Sequence, residues 1–326
     1  MKIVNKYFNS KNNFSHGIMF HNFHDLKKHK GGQGSISQKE FLELINFIGR
    51  KNIIDADEFI LRFKEKTLKK KHVCLTFDDG SLSQYNVALP VLKKLKIKAI
   101  FFLYSSMFTR KPDFLEVYRY FRINFFRNID EFYKKFYEHV DLKYINFLKK
   151  NKKIIDQKKI TYPHYSISDI KFRLVRDGFI SRIQYKNIMI KLFKEKKFVP
   201  KNYFNNLFMN SEHLIKIHKL GHLIGLHSHS HPTVMKKLTY KSQAKEYNKN
   251  ITIFSKILNC TNDTFKTMSH PCGSFNFNTK KVLNKLNINI GFIAKMFLKN
   301  KSIIPKYEIP RQDHSDIMDM MKEKLK

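Results

Sequence analysis

Two carboxylates stand side by side at Asp78-Asp79, after an apolar, β-prone run from His72 to Phe77 and directly before Gly80. A strand that ends this way delivers charge to the rim of a sheet or barrel, and the glycine permits the turn. Adjacent carboxylates repel, so at neutral pH they need a cation, a donor network or a shared proton. Further along, His227-Ser228-His229-Ser230-His231-Pro232 sets three imidazoles within five residues. Two imidazoles and one carboxylate, with a coordination position left open, make a hydrolytic metal centre. If the segment continues a strand, all three histidines face one way and all three are open as ligands.

The elements that must position these groups alternate. Ile18–Phe20 reads as a first short strand with His21 just past its end, either a packing residue or a neighbour of substrate or metal. Ser37 and Glu40 have capping-box spacing before a helix carrying Phe41, Leu44, Ile45 and Ile48. Asp57–Lys70 reads as another helix. Gly31-Gly32-Gln33-Gly34 is a loop without the pattern of a phosphate cradle. After Gly80 a helix through Leu95 and a buried strand over 97–104 complete a βαβ unit. The same alternation returns from Ser211 onward, with a short strand over His222–Leu226, a helix over Tyr240–Leu258 and a strand over Ile288–Ala294. Between them, residues 105–210 read as helices over Phe114–Phe126, Ile129–Val140, Tyr144–Ile155 and Ile170–Phe198, too long for an ordinary connection. The pattern is one α/β domain, 1–104 with 211–326, interrupted by a helical insertion. Seven of the ten arginines fall in the insertion, six of them clustered from Arg119 onward (Arg119, Arg122, Arg127, Arg173, Arg176 and Arg182). They are either a solvated face or a cap or lid that grips an anionic group.

Charge narrows the function classes. The 326 residues carry 63 Lys+Arg against 27 Asp+Glu, a formal charge of +36. The excess is lysine spread along the whole chain, with no basic arm and few arginines, which argues against a nucleic-acid partner. Attraction to an anionic membrane surface or to an acidic, lipid-linked glycan is the more specific expectation. Three cysteines (Cys74, Cys260, Cys272) make no disulfide framework. Met1–His16 has no apolar core of a secretory signal, and the longest apolar run, Ala99–Tyr104, is too short to span a bilayer. A cytoplasmic protein, peripheral to the inner membrane at most, is expected.

Thr76-Phe77-Asp78-Asp79-Gly80 followed by His227-Ser228-x-x-His231-Pro232, with Pro271-x-Gly273-Ser274 further on, resembles the polysaccharide deacetylases, the NodB-homology fold of carbohydrate esterase family 4. The resemblance covers roughly 72–104 and 211–315, with a weaker match at Phe20-His21. It implies an irregular (β/α)7-type barrel holding a divalent metal, usually zinc. It implies Asp79, His227 and His231 as metal ligands, Asp78 as general base, and His229 and His21 at the substrate. Where the family often shows Arg-x-Pro-Tyr, this chain has Ser269-His270-Pro271-Cys272, so the arginine that orients the base is missing. Arg311, alone in an otherwise arginine-free C-terminal third, is expected to replace it, with the Cys272 backbone as oxyanion donor. No clean match exists for the family's acid; His314 and His270 are the candidates, with His21 behind them. The implied activity is hydrolysis of a linear amide, removing an N-acetyl group from a sugar of a surface glycan, such as lipopolysaccharide or capsule, or from its lipid- or nucleotide-linked precursor. The alternatives are deformylation or O-deacetylation at the same site, or a degenerate protein that only binds glycan.

Overall fold

Val73–Asp78 is buried at every residue, as a parallel strand covered on both faces must be. It is the fourth of nine strands in the computed structural model, which describes residues 7–8, 13–32, 34–161, 165–296 and 304–323. The expectation for Met1–His16 falls partly outside these residues, and Gln33 of the glycine loop falls outside them. The strands are β1 (His16–Phe20), β2 (Asn22–His24), β3 (Ser35–Ser37), β4 (Val73–Asp78), β5 (Ile100–Leu103), β6 (Leu223–Leu226), β7 (Thr267–Ser269), β8 (Ile290–Phe292) and β9 (Arg311–Asp313). Seven form one sheet in the order β8-β7-β6-β5-β4-β1-β9, while β2 and β3 pair separately. Every pairing in the large sheet is parallel.

The sheet curls until its ends nearly meet. β9 pairs with β1, and Ile309, two residues before β9, bridges to Phe292 of β8. One short segment thus touches both margins, and the fold is the irregular α/β barrel of the NodB type. Because all strands are parallel, their C-terminal ends share one mouth. Helices α1 (Gln38–Ile48), α2 (Ala56–Lys64) and α3 (Leu89–Lys94) belong to its first half. The Ser37–Glu40 capping box is formed in both directions. A stack of Phe20, Phe77 and Phe101, with centroids 5.2 and 4.7 Å apart, lies in the core.

Two compact units result, one of residues 1–113 and 208–326 and one of Phe114–Leu207. The second is all helical, with α4 (Leu115–Asn124), α5 (Ile129–Tyr137), α6 (Tyr144–Lys150), α7 (Lys152–Thr161), α8 (Ile167–Leu174), α9 (Arg182–Glu195) and α10 (Phe204–Leu207). It begins at Phe114 rather than at residue 105 because the Ser105 and Ser106 amides are bonded to the carbonyls of Ser228 and His229 in the barrel unit. The single helix expected over Ile170–Phe198 is broken by a turn through Gly178, and Ser181 caps a new helix with Gln184. Its core is aromatic, with Phe121, Phe132, Phe136 and Phe172 fully buried. The barrel unit continues with α11 (Ser211–Lys219), α12 (Tyr240–Leu258), α13 (Phe277–Lys285) and α14 (His314–Lys322). No helix among the described residues is long and apolar enough to cross a membrane.

The barrel wall is tightest at Gly225 in β6. A Cβ there would collide with the Phe102 ring and lie 2.9 Å from Thr267 Oγ1. Gly225→Ala is therefore expected to destabilise the protein by about 1–3 kcal/mol, read as a lower urea midpoint at an unchanged m-value. A wild-type midpoint would show that the wall yields here.

Candidate active site

The site is assembled from strand ends. β4 finishes at Asp78, and the chain then turns through Asp79 (φ 74°) and Gly80 (φ 69°). Left-handed backbone is costly for a residue with a Cβ. Ser228 (φ 65°), His231 (φ 46°) and Cys272 (φ 50°) adopt it too, so four non-glycine residues at this mouth are held in that region. β6 ends at Leu226, which leaves the histidine segment as a loop and breaks the alternation expected of a strand.

That loop separates the histidines. His227 Nε2 and His231 Nε2 are 3.0 Å apart and lie 3.4 and 3.1 Å from Asp79 Oδ1. All three residues are buried. His229 does not join them. Its Nδ1 meets Ser105 Oγ at 2.9 Å, which ties the loop to the segment after β5. Burial and then Lys249 push its pKa down.

The triangle fits a cation. Tetrahedral ligands at about 2.1 Å from a metal sit about 3.4 Å from one another, close to the spacing here. The Ser269 carbonyl accepts from His227 Nδ1 at 2.9 Å. This fixes the proton on Nδ1 and aims the Nε2 lone pair at the triangle, the usual arrangement of a ligating imidazole. Asp79 Oδ1 is buried with no hydrogen-bond partner among the described residues, although two imidazole nitrogens face it. Asp79 Oδ1 and the two Nε2 atoms face one another, and a cation at their centre would engage all three. Burial acts to raise the Asp79 carboxyl, but His231 and then His227 hold it well below the ordinary carboxylate range.

Asp78 has a different environment. Arg311 Nη1 and Nη2 donate to its Oδ1 and Oδ2 at 2.6 and 2.7 Å, a bidentate pair. The arginine is 1% exposed and Asp78 2%. Arg311 starts low in the barrel, at the register of Gly17, and its stem runs up the interior. A Cβ on Gly17 would lie 2.9 Å from Arg311 Cγ, so the glycine leaves the passage open. Arg311 Nε donates to the Ile293 carbonyl. Ser269, where the family's arginine is usual, places Oγ 3.2 Å from Asp78 Oδ2 and 3.1 Å from Arg311 Nη2. Burial acts to raise the Asp78 carboxyl, but the Arg311 charge, with His227 adding to it, keeps it below the ordinary value.

Of the three histidines considered as acid, one stands at the carboxylates. His21 Nε2 is 3.9 Å from Asp78 Oδ2, and its side chain is 27% exposed. His314 is buried, stacked on Phe20, with Nδ1 3.3 Å from the Met19 carbonyl. His270 is buried, stacked on Phe275, and its Nε2 is bonded to the Tyr307 carbonyl. Burial takes its pKa down to about 3, so at neutral pH it is the uncharged imidazole. Neither buried histidine therefore suits the role set out for it. Cys272 is exposed on a short 3₁₀ turn over Pro271–Gly273.

Three supporting residues were not singled out from the sequence. Asn250 of α12 accepts from the His227 amide and donates to the Leu103 carbonyl. Glu246, one turn earlier, accepts from the amides of His229 and Ser230 and from Ser230 Oγ. Gln84 donates to the carbonyls of His21 and Asp78. The buried Asn250 on the inward face of an amphipathic helix was the one signal available.

Residues 65–120 and 185–291, half of the chain, match the family model described as polysaccharide deacetylase. No curated protein matches. Among solved structures, a de-N-acetylase from Aggregatibacter actinomycetemcomitans is similar at 13% identity and TM-score 0.53, over 94% of this chain and 99% of that one. The Streptococcus pyogenes deacetylase PplD, solved in complex with acetate, is similar at 14% identity and TM-score 0.50, over 91% and 90%. At these identities the likeness is one of fold.

Removing Arg311 strands a buried charge. Arg311→Met is expected to cost about 3–5 kcal/mol near neutral pH, and adding Asp78→Asn should recover part of it. The folded pKa of Asp78 is depressed, so its contribution is fully present above the unfolded value of about 3.9 and is lost as pH falls through the folded value. Burial raises the Asp78 carboxyl once the arginine is gone, so urea titrations should show the gap between wild type and Arg311→Met narrowing as pH falls, beginning above about pH 4 where the variant's Asp78 takes up its proton. A gap constant with pH would mean that the pair does not stabilise through charge.

Proposed function

The chain belongs to the polysaccharide deacetylase family, and from that premise we propose that it is a metal-dependent hydrolase removing an N-acetyl group from a sugar of a surface glycan or of its lipid- or nucleotide-linked precursor. The observation that carries this reading is an ionised, arginine-clamped carboxylate, Asp78, directly beside the Asp79–His227–His231 triangle. A divalent metal such as zinc, held by those three residues, would supply a polarised amide carbonyl and a water of lowered pKa.

The chain's own residues supply the rest. A carboxylate offers about four lone-pair sites. Arg311 occupies two and Ser269 a third, which leaves Asp78 one direction in which to accept the proton of the attacking water. Its lowered pKa keeps it ionised at neutral pH. Arg311 and Ser269 fix its plane, as a base acting on an oriented water requires. The leaving nitrogen needs a proton as the C–N bond breaks. His21, partly exposed beside Asp78, is the donor we assign, in place of the two buried histidines. The backbone turn at Cys272 is the assigned partner of the developing oxyanion.

Acetate release from a panel of N-acetylated sugars, free and nucleotide- or lipid-linked, tests the reading, with N-formyl and O-acetyl sugars alongside. Release should disappear on chelation and return with zinc. Asp79→Asn and His231→Ala should lose both metal and turnover. His21→Ala should lower kcat by about 100-fold or more with metal retained. In Arg311→Met the acid limb of kcat/KM should move upward, because burial still raises Asp78 and the opposing cation is gone. No release across the panel by metal-loaded protein would overturn the proposal.

A further inference from the structure

The helical unit contains a cationic cluster that the deacetylase chemistry does not use. Arg122 of α4 places its guanidinium carbon 4.9 Å from the Phe172 ring centre and 5.6 Å from that of Phe132. Arg176 lies over the same Phe172 ring at 5.8 Å. Arg173, one turn before Arg176, bonds Asp169 Oδ2 through Nε, and Asp169 Oδ1 accepts from Tyr133. Arg176 makes a bidentate pair with Asp177. Among the described residues three arginines thus gather with two aspartates, and Arg122 is the one whose guanidinium pairs with neither. Its Nε is buried without a hydrogen-bond partner among the described residues. Tyr185, 7% exposed, sets its ring 6.2 Å from that of Phe172, the ring that Arg122 and Arg176 face.

This arrangement is costly if nothing answers it. A guanidinium stays charged at any working pH, and a buried donor left without an acceptor is unfavourable. Stacking on two phenyl rings offsets part of that cost but takes up no N–H. What completes the cluster is an oxyanion, whose geometry matches the donor fork of arginine.

We propose that Arg122, Arg173, Arg176 and Tyr185 form a binding site for a phosphate or carboxylate oxyanion, built wholly within the helical unit. All but Tyr185 lie in residues 121–184, which the family model does not match, so this is a property of the chain rather than of its deacetylase core. The aromatic walls suit a ligand whose anionic group is attached to an organic body. Inorganic phosphate and acetate are the minimal probes of the two chemistries.

Equilibrium dialysis with radiolabelled orthophosphate on the full chain, at fixed ionic strength set with chloride, reads the site directly. Wild type should show a saturable class of binding that Arg122→Met weakens about tenfold or more, since the loss is of charge-assisted hydrogen bonds. Binding elsewhere on this basic protein, the metal triangle included, is common to both proteins and cancels in the comparison. Should Arg122→Met fail to fold, Tyr185→Phe, which keeps the ring, decides the matter. Weaker phosphate binding supports the site, and unchanged binding overturns it. Acetate that displaces phosphate at comparable concentration identifies a carboxylate ligand, and acetate that does not identifies a phosphorylated one. Identical phosphate binding by wild type and folded Arg122→Met would overturn the proposal.

Discussion

A salt bridge closed inside a barrel governs this molecule. Asp78 and Arg311 are 233 residues apart in sequence and are both almost wholly withdrawn from water. Such pairs are weak sources of stability but strict constraints, because either partner alone is a large penalty. Much of the surrounding structure serves the constraint. Gly17 gives way to the arginine stem, the Ile293 carbonyl and Thr76 and Ser269 hydroxyls take its remaining donors, and the Phe102 ring faces its guanidinium. The same hydroxyl of Ser269 reaches His227 Nδ1 at 3.0 Å. Asp78, Arg311 and the Asp79–His227–His231 triangle therefore form one network rather than neighbouring parts.

The left-handed residues at the mouth follow from the same demand. A parallel strand aims alternate side chains to opposite faces, so consecutive carboxylates at a strand end would diverge. The abrupt turn at Asp79 lets Asp78 point to Arg311 while Asp79 points to the histidines. The loop after β6 does likewise for His227 and His231. Glu246 and Asn250, four residues apart on α12, hold that loop by its amides. Rigidity here comes from a helix behind the loop, which is what a preorganised site requires.

The alternation of strands and helices, the insertion, and the Asp-Asp and His-x-x-x-His pairs were legible because hydrophobic periodicity and motif spacing are local. Helix Tyr240–Leu258 and the capping box at Ser37 fall where the residues put them. What was less legible depended on tertiary neighbours. The loop at His227 was open to being read as strand, since its left-handed backbone is stabilised by Ser105, Ser106 and Glu246 from elsewhere. His314 and His270 looked eligible as acids until packing against Phe20 and Phe275 withdrew them from water. The lone arginine of the last third could be singled out by its isolation, but its route through the space beside Gly17 could not. In the insertion the six clustered arginines looked alike; folding distinguishes Arg122 and Arg176, which face the Phe172 ring, from Arg119, which is paired with Glu116.

The closing segment has a consequence for how the protein comes into being. Ile309–Asp313 is the seam that joins β8 to β1, and it also carries the arginine. Synthesis delivers Asp78 233 residues before its counter-cation. Until the last strand is laid in, a nascent chain that collapsed around β4 would enclose an uncompensated charge, so premature compaction of the barrel is penalised. Closure of the wall and neutralisation of its interior are a single event, which ties the burial of Asp78 to completion of the fold.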